Sequence, residues 1–161
     1  MRGKLMKTKL ATITVFLAGL FLATFAQAQG SLEGAWQRTE VMISGGDNEG
    51  TTSDPEMGLI LFTEGHYSTM LNLSDRSGFP EGPGPLENDE QRVSAFQSFF
   101  ANSGSYEVAG SKLMLHFMLA RNPRVASGTT ESEYRVEDDK LMITTTNNQG
   151  VVTRTTYTRL D

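Results

Sequence analysis

Residues 128–160 read GTTESEYRVEDDKLMITTTNNQGVVTRTTYTRL. Three β-rich segments stand out, Gly128 to Val136, Lys140 to Asn147 and Val151 to Leu160. Only Glu137-Asp138-Asp139 and Asn148-Gln149-Gly150 separate them, and connections this short between β-rich runs are hairpins. The same rhythm continues upstream. Gly104 to Val108 and Lys112 to Arg121 flank Ala109-Gly110-Ser111, while Gly58 to Phe62 and His66 to Leu73 flank Thr63-Glu64-Gly65. Trp36 to Ile43 reads as the first strand, giving eight in all. Eight hairpin-linked strands close most economically into an all-β, up-and-down antiparallel barrel, which leaves no exposed edge. The interior of such a barrel holds its own side chains or one small ligand.

Two long connections interrupt the meander. Ser44 to Glu56 is rich in Gly, Asp, Thr and Ser and reads as a loop. Ser74 to Leu86 contains Pro80-Glu81-Gly82-Pro83-Gly84-Pro85, a density of Pro and Gly that no regular element survives. One short helix follows, between the third and fourth strands. Asn88 is a cap with Gln91 three residues on, and Asp89 and Glu90 suit the positive end of the helix dipole. Val93, Phe96, Phe99 and Phe100 fall at helical spacing and form an apolar stripe, ended by Asn102 and Gly104. The stripe is expected to pack on the sheet, cover one mouth of the barrel, or do both.

The first 28 residues read as a secretory leader. Arg2, Lys4, Lys7 and Lys9 precede Ala11 to Phe25, an apolar run of 15 residues without charge, and Ala26-Gln27-Ala28 supplies small residues for cleavage. The run is short of the ~20 residues that a spanning helix needs. The expectation is a periplasmic or secreted protein with no stable membrane insertion, its mature domain spanning residues 29–161. The chain has no cysteine, which excludes lipid attachment after cleavage and any disulfide. A domain of this size builds its core without them. All 19 acidic residues but only 10 of the 14 basic ones lie after Ala28, so the mature domain carries a net charge of −9. That charge repels nucleic acid, which is not expected as a partner.

Gly34-Ala35-Trp36 opens the first strand and Arg159 closes the last. This resembles the Gly-x-Trp and C-terminal Arg of lipocalins and related calycin barrels. The resemblance implies that the Arg covers the Trp and plugs the closed end, a cation–π contact in a desolvated place. Gly58-Leu59-Ile60-Leu61-Phe62 with Gly65-His66-Tyr67-Ser68, the segment Phe99 to Val108, and His116 followed by Asn122-Pro123 and Gly128 complete a pattern similar to a bacterial lipocalin-like domain family. The resemblance also implies an Arg in the strand after Gly128. Here that strand reads Glu131-Ser132-Glu133-Tyr134, so Arg135 is either a substitute or points to solvent.

The residues admit three functions. The first is binding of a small, mostly apolar or amphipathic molecule within the barrel. The alternatives are an isomerase or cyclase with His116 or a Tyr as proton carrier, and a filled-core structural or interaction protein. His66 and His116 are the only histidines and no Cys joins them, so neither a metal site nor any cofactor is expected. Nothing has the pattern of a Ser-His-Asp set, a phosphate loop or a dinucleotide fingerprint. The expected ligand contacts are Tyr67, Tyr106, His116, Met118 and Arg154. Tyrosine suits a pocket of mixed polarity, methionine adapts to irregular shapes, and an inward Arg154 would need an anionic partner. Along the third strand, alternation allows Tyr67, Thr69 and Leu71 inward or His66, Ser68 and Met70 inward. The first set is favoured, with His116 and Met118 opposite it.

Overall fold

The computed structural model describes residues 31–82 and 84–160. The expected leader and its cleavage point lie outside the described residues. Nine strands alternate with little else: β1 Gly34–Ser44, β2 Gly50–Ser53, β3 Gly58–Thr63, β4 His66–Asn72, β5 Phe99–Ala109, β6 Lys112–Ala120, β7 Thr129–Glu137, β8 Lys140–Thr146 and β9 Val152–Arg159. One helix, α1 Asp89–Gln97, and a single 3₁₀ turn, Pro123–Val125, complete the elements among the described residues. Every neighbouring pair is antiparallel, and β1 pairs with β9 from Trp36↔Arg159 to Ser44↔Val152, which closes the sheet. The barrel is therefore β1 and β3 to β9, eight strands in up-and-down order.

The hairpins follow from their turn residues. Gly65 and Gly110 take φ of +72° and +60°, the left-handed region where glycine alone is unstrained. Asp138 takes φ +50° between β7 and β8, a position Asp tolerates better than most residues.

Two expectations need correction. The helix lies between the fourth and fifth strands, because the segment read as a loop after Ser44 contains β2. Its four residues pair only with Glu40–Ile43 and are all exposed, so no apolar alternation marks them. The apolar stripe of the helix also fails. Asn88 does cap α1, its side-chain oxygen accepting from the Gln91 N–H at 2.9 Å. The helix then stops at Gln97, with Ser98 as its C-cap. Phe99 and Phe100 belong to β5, opposite Asn72 and Leu71, and Asn102 and Gly104 lie within the same strand. Their spacing from Phe96 coincides with a helical one, but an apolar doublet fits a strand equally well.

No residue of α1 is buried, and Val93 and Phe96 remain 53% and 50% exposed. Two arginines hold the helix instead. Arg76 donates to the Ala95 carbonyl at 3.0 Å and to Ser98 Oγ at 2.6 Å, with its guanidinium 5.0 Å from the Phe79 ring centre and 5.7 Å from that of Phe99. Arg121 donates to the Phe96 carbonyl and lies 4.4 Å from the centre of the Phe96 ring.

Candidate functional site

The inside of the barrel is divided into two halves. In one half the inward side chains are close-packed: Trp36, Leu113 and Leu141 are fully buried, with Phe62, Tyr67, Val136 and Tyr157 around them. This end is plugged. Arg159 lies 4.0 Å from the centre of the Trp36 ring and donates to the carbonyls of Glu33 and Ser31, each at 2.8 Å. The indole N–H donates to Leu32 O at 2.9 Å, so the desolvated ring leaves no polar atom unpaired.

Toward the other end, cross-strand register carries the same inner face onward. Leu141 opposes Tyr157, Ile143 opposes Thr155, and Thr145 opposes Thr153; on β1, Val41 and Ile43 oppose the same two threonines. These inward residues, with Leu71, Leu115 and Phe117, are only half-buried. An inward side chain that keeps exposure in a closed barrel is reached by water from the mouth. The open half is thus lined by side chains of mixed polarity, with Leu71, Leu115 and Phe117 on one wall and Thr145, Thr153 and Thr155 on the other; Leu115 and Phe117 still pack against the core.

Polar groups on the inner face of the two halves fall into two classes. Some are satisfied: Ser132 Oγ and Thr145 Oγ1 are 2.9 Å apart, and Thr69 Oγ1 donates to Leu59 O at 3.1 Å. Tyr67 OH and Asn102 Oδ1 are buried with no hydrogen-bond partner. Burial pushes the Tyr67 phenol up to about 12, so it stays neutral and retains its proton. Burial also pushes Tyr157 up to about 12, with the nearby Arg38 charge acting the other way. Tyr106 and Tyr134 are raised by burial first, then by the Glu33 charge for Tyr106 and by Tyr106 for Tyr134.

Arg38 enters the barrel beside Tyr157, its register partner. It donates to Asn72 O at 3.0 Å and through Nε to Glu56 O at 3.2 Å, tying together the mouth ends of β3 and β4. Among the described residues it has no carboxylate partner. Gly58 makes room for it, since a Cβ there would stand 3.1 Å from Arg38 Nε and 2.7 Å from Leu71 Cδ2.

The expected contact residues separate. Tyr67 and Tyr106 point inward, and the ring of Tyr106 meets Phe62 edge-on at 5.1 Å. On β4 the face of Tyr67 and Thr69 turns inward, while His66 and Met70 are exposed. His116 and Met118 do not oppose Tyr67, which corrects that part of the expectation. Leu113, fully buried, fixes the inner face of β6 as Leu113, Leu115 and Phe117. His116 is on the outer face, with Nδ1 3.4 Å from Thr129 Oγ1 and Nε2 3.5 Å from an oxygen of the exposed Glu107 carboxylate. Met118 falls at a bulge, where the register moves from Gly104↔Phe117 to Ser103↔Leu119, and is 64% exposed. Arg154 is also outside, opposite Met42 and Thr144. Arg135 points outward to pair with Glu137. No group of three or more His, Cys, Asp or Glu among the described residues could hold a metal ion, and none of their helices is long and apolar enough to cross a membrane.

Sequence reasoning missed two inner-wall residues, Arg38 and Asn102. Arg38 was within reach, because it follows the inward Trp36 by two positions and alternation puts both on one face. Asn102 was hidden by its assignment to the end of a helix.

Residues 33–158 match the lipocalin-like domain family. Among solved structures, an uncharacterised protein from Bacteroides eggerthii DSM 20697 is 11% identical, with a TM-score of 0.47, over 81% of this chain and 100% of that one. A redesigned β-barrel is 9% identical, with a TM-score of 0.43, over 81% of this chain and 92% of that one. No curated protein matches the chain. With the family matched across nearly all of the described barrel, this chain belongs to the lipocalin-like domain family.

Proposed function

We propose that the protein is exported and carries a small, mostly apolar or amphipathic molecule in the open half of its barrel. The observation behind this is the contrast between the two halves. One half is packed and sealed by Trp36 and Arg159, while inward residues such as Leu71, Leu115 and Thr153 keep partial exposure in the other. A concave, mostly apolar space with a few convergent polar groups is the usual form of a small-molecule site. The mixed walls favour a ligand with an apolar body and at least one polar group. Catalysis has less support: His116, one of the expected proton carriers, is on the outer face beside the exposed Glu107 carboxylate.

Native mass spectrometry of protein purified from its own host tests this. A retained small molecule, released by denaturation, is the expected result. Protein at its bare mass in every preparation, together with no uptake of added lipophilic probes, would favour a filled-core role instead.

A further inference from the structure

We infer that the phenol of Tyr67 and the side-chain carbonyl of Asn102 form a polar anchor inside the barrel for a neutral ligand group that both accepts and donates a hydrogen bond, an alcohol in its simplest form. This rests on the binding function proposed above and specifies the class of ligand.

The two side chains share one wall. Thr69 opposes Asn102 and Tyr67 opposes Gly104, so Tyr67 and Asn102 are diagonal neighbours on the inner faces of β4 and β5. They are 3% and 7% exposed, and neither Tyr67 OH nor Asn102 Oδ1 has a partner. The hydroxyl between them does not help, because Thr69 Oγ1 is committed to Leu59 O. Nor can β5 fill the place opposite Tyr67. The β6 backbone passes so close that a Cβ on Gly104 would lie 1.8 Å from His116 O, so the position admits no side chain. Buried polar atoms are nearly always paired, and two orphans on one wall call for a third group between them.

The donor and acceptor types select that group. Tyr67 offers a proton, and Asn102 Oδ1 can only accept. An alcohol oxygen accepts from Tyr67 and donates its own proton to Asn102, which satisfies both. An ether satisfies one of them. A carboxylate presents only acceptors to Asn102 Oδ1 and loses its hydration in an apolar surround.

The test is competition against N-phenyl-1-naphthylamine on the whole exported protein. The competitors are 1-decanol, decyl methyl ether and decanoate. Decanol should displace the probe about tenfold more strongly than the ether, equivalent to about 1.4 kcal/mol, and decanoate should be weaker than decanol. Tyr67→Phe and Asn102→Leu should each bring the alcohol-to-ether ratio close to one, each ratio being read against the probe affinity measured for that same variant. Tyr67→Phe removes one atom and keeps the ring, so it gives the answer even where Asn102→Leu fails to fold. A ratio near one in the parent protein overturns the anchor while leaving barrel binding intact. So does a ratio that survives Tyr67→Phe, which would mean that ordered water fills the place. If the naphthylamine does not saturate the parent, the proposed binding function and the anchor fall together.

Discussion

A Cβ on Gly34 would stand 2.5 Å from Nη1 of Arg159, and Gly34 holds φ at +133°. The glycine of the Gly-x-Trp sequence is thus where the first strand makes way for the arginine of the last. Gly34→Ala should destabilise the fold by about 1–3 kcal/mol through backbone strain alone, and by more where the arginine is displaced. Chemical denaturation measures this; an unchanged midpoint would show that the plug tolerates a side chain there.

The same plug predicts coupling between Trp36 and Arg159, 4.0 Å apart. Trp36→Ala should cost about 3–5 kcal/mol, Arg159→Ala should cost less, and the double variant should lose less than the sum. A double-mutant cycle with additive losses would mean that the two residues stabilise the barrel separately.

The plug and most hairpins were legible in the sequence because each rests on local chemistry: a glycine in a turn, an alternation of faces, an aromatic ring needing a cover. What could not be read rests on context. Strand β6 is apolar on both faces, so alternation does not say which one turns inward; the buried Leu113 decides it, and His116 and Met118 go outside. Phe99 and Phe100 continue a helical spacing by coincidence, and only their ladder with Leu71 and Asn72 makes them a strand. Asn102 was lost with them, and so was half of the polar pair inside the barrel.

Because His116 is outside, His116→Phe should leave the affinity for a lipophilic probe unchanged. Isothermal or fluorescence titration of the variant checks this, and a severalfold loss of affinity would return the histidine to the ligand's surroundings.

The buried phenols predict alkaline sensitivity. Tyr67 and Tyr157 are pushed up to about 12 from 10, so between those values the folded state keeps protons that the unfolded state releases. Their contribution to stability is complete below pH 10 and declines from pH 10 to pH 12. Tyr157→Phe should flatten that decline. Denaturation midpoints at pH 9 and pH 11 measure it, and equal slopes for parent and variant would remove Tyr157 as a cause.

Export predicts a mature N-terminus at or close to Gln29. Sequencing of protein recovered from the cell envelope or medium checks this, and a start within residues 1–11 would contradict cleavage.

The most direct test of the binding function is a titration with N-phenyl-1-naphthylamine of the parent and of Thr153→Trp, which places a large ring on the inner wall near the mouth. The parent should saturate with one site, and Thr153→Trp should lose that site while keeping its circular dichroism spectrum and cooperative unfolding. Saturable binding that is indifferent to Thr153→Trp would place the probe elsewhere on the molecule and contradict a ligand site in the open half of the barrel.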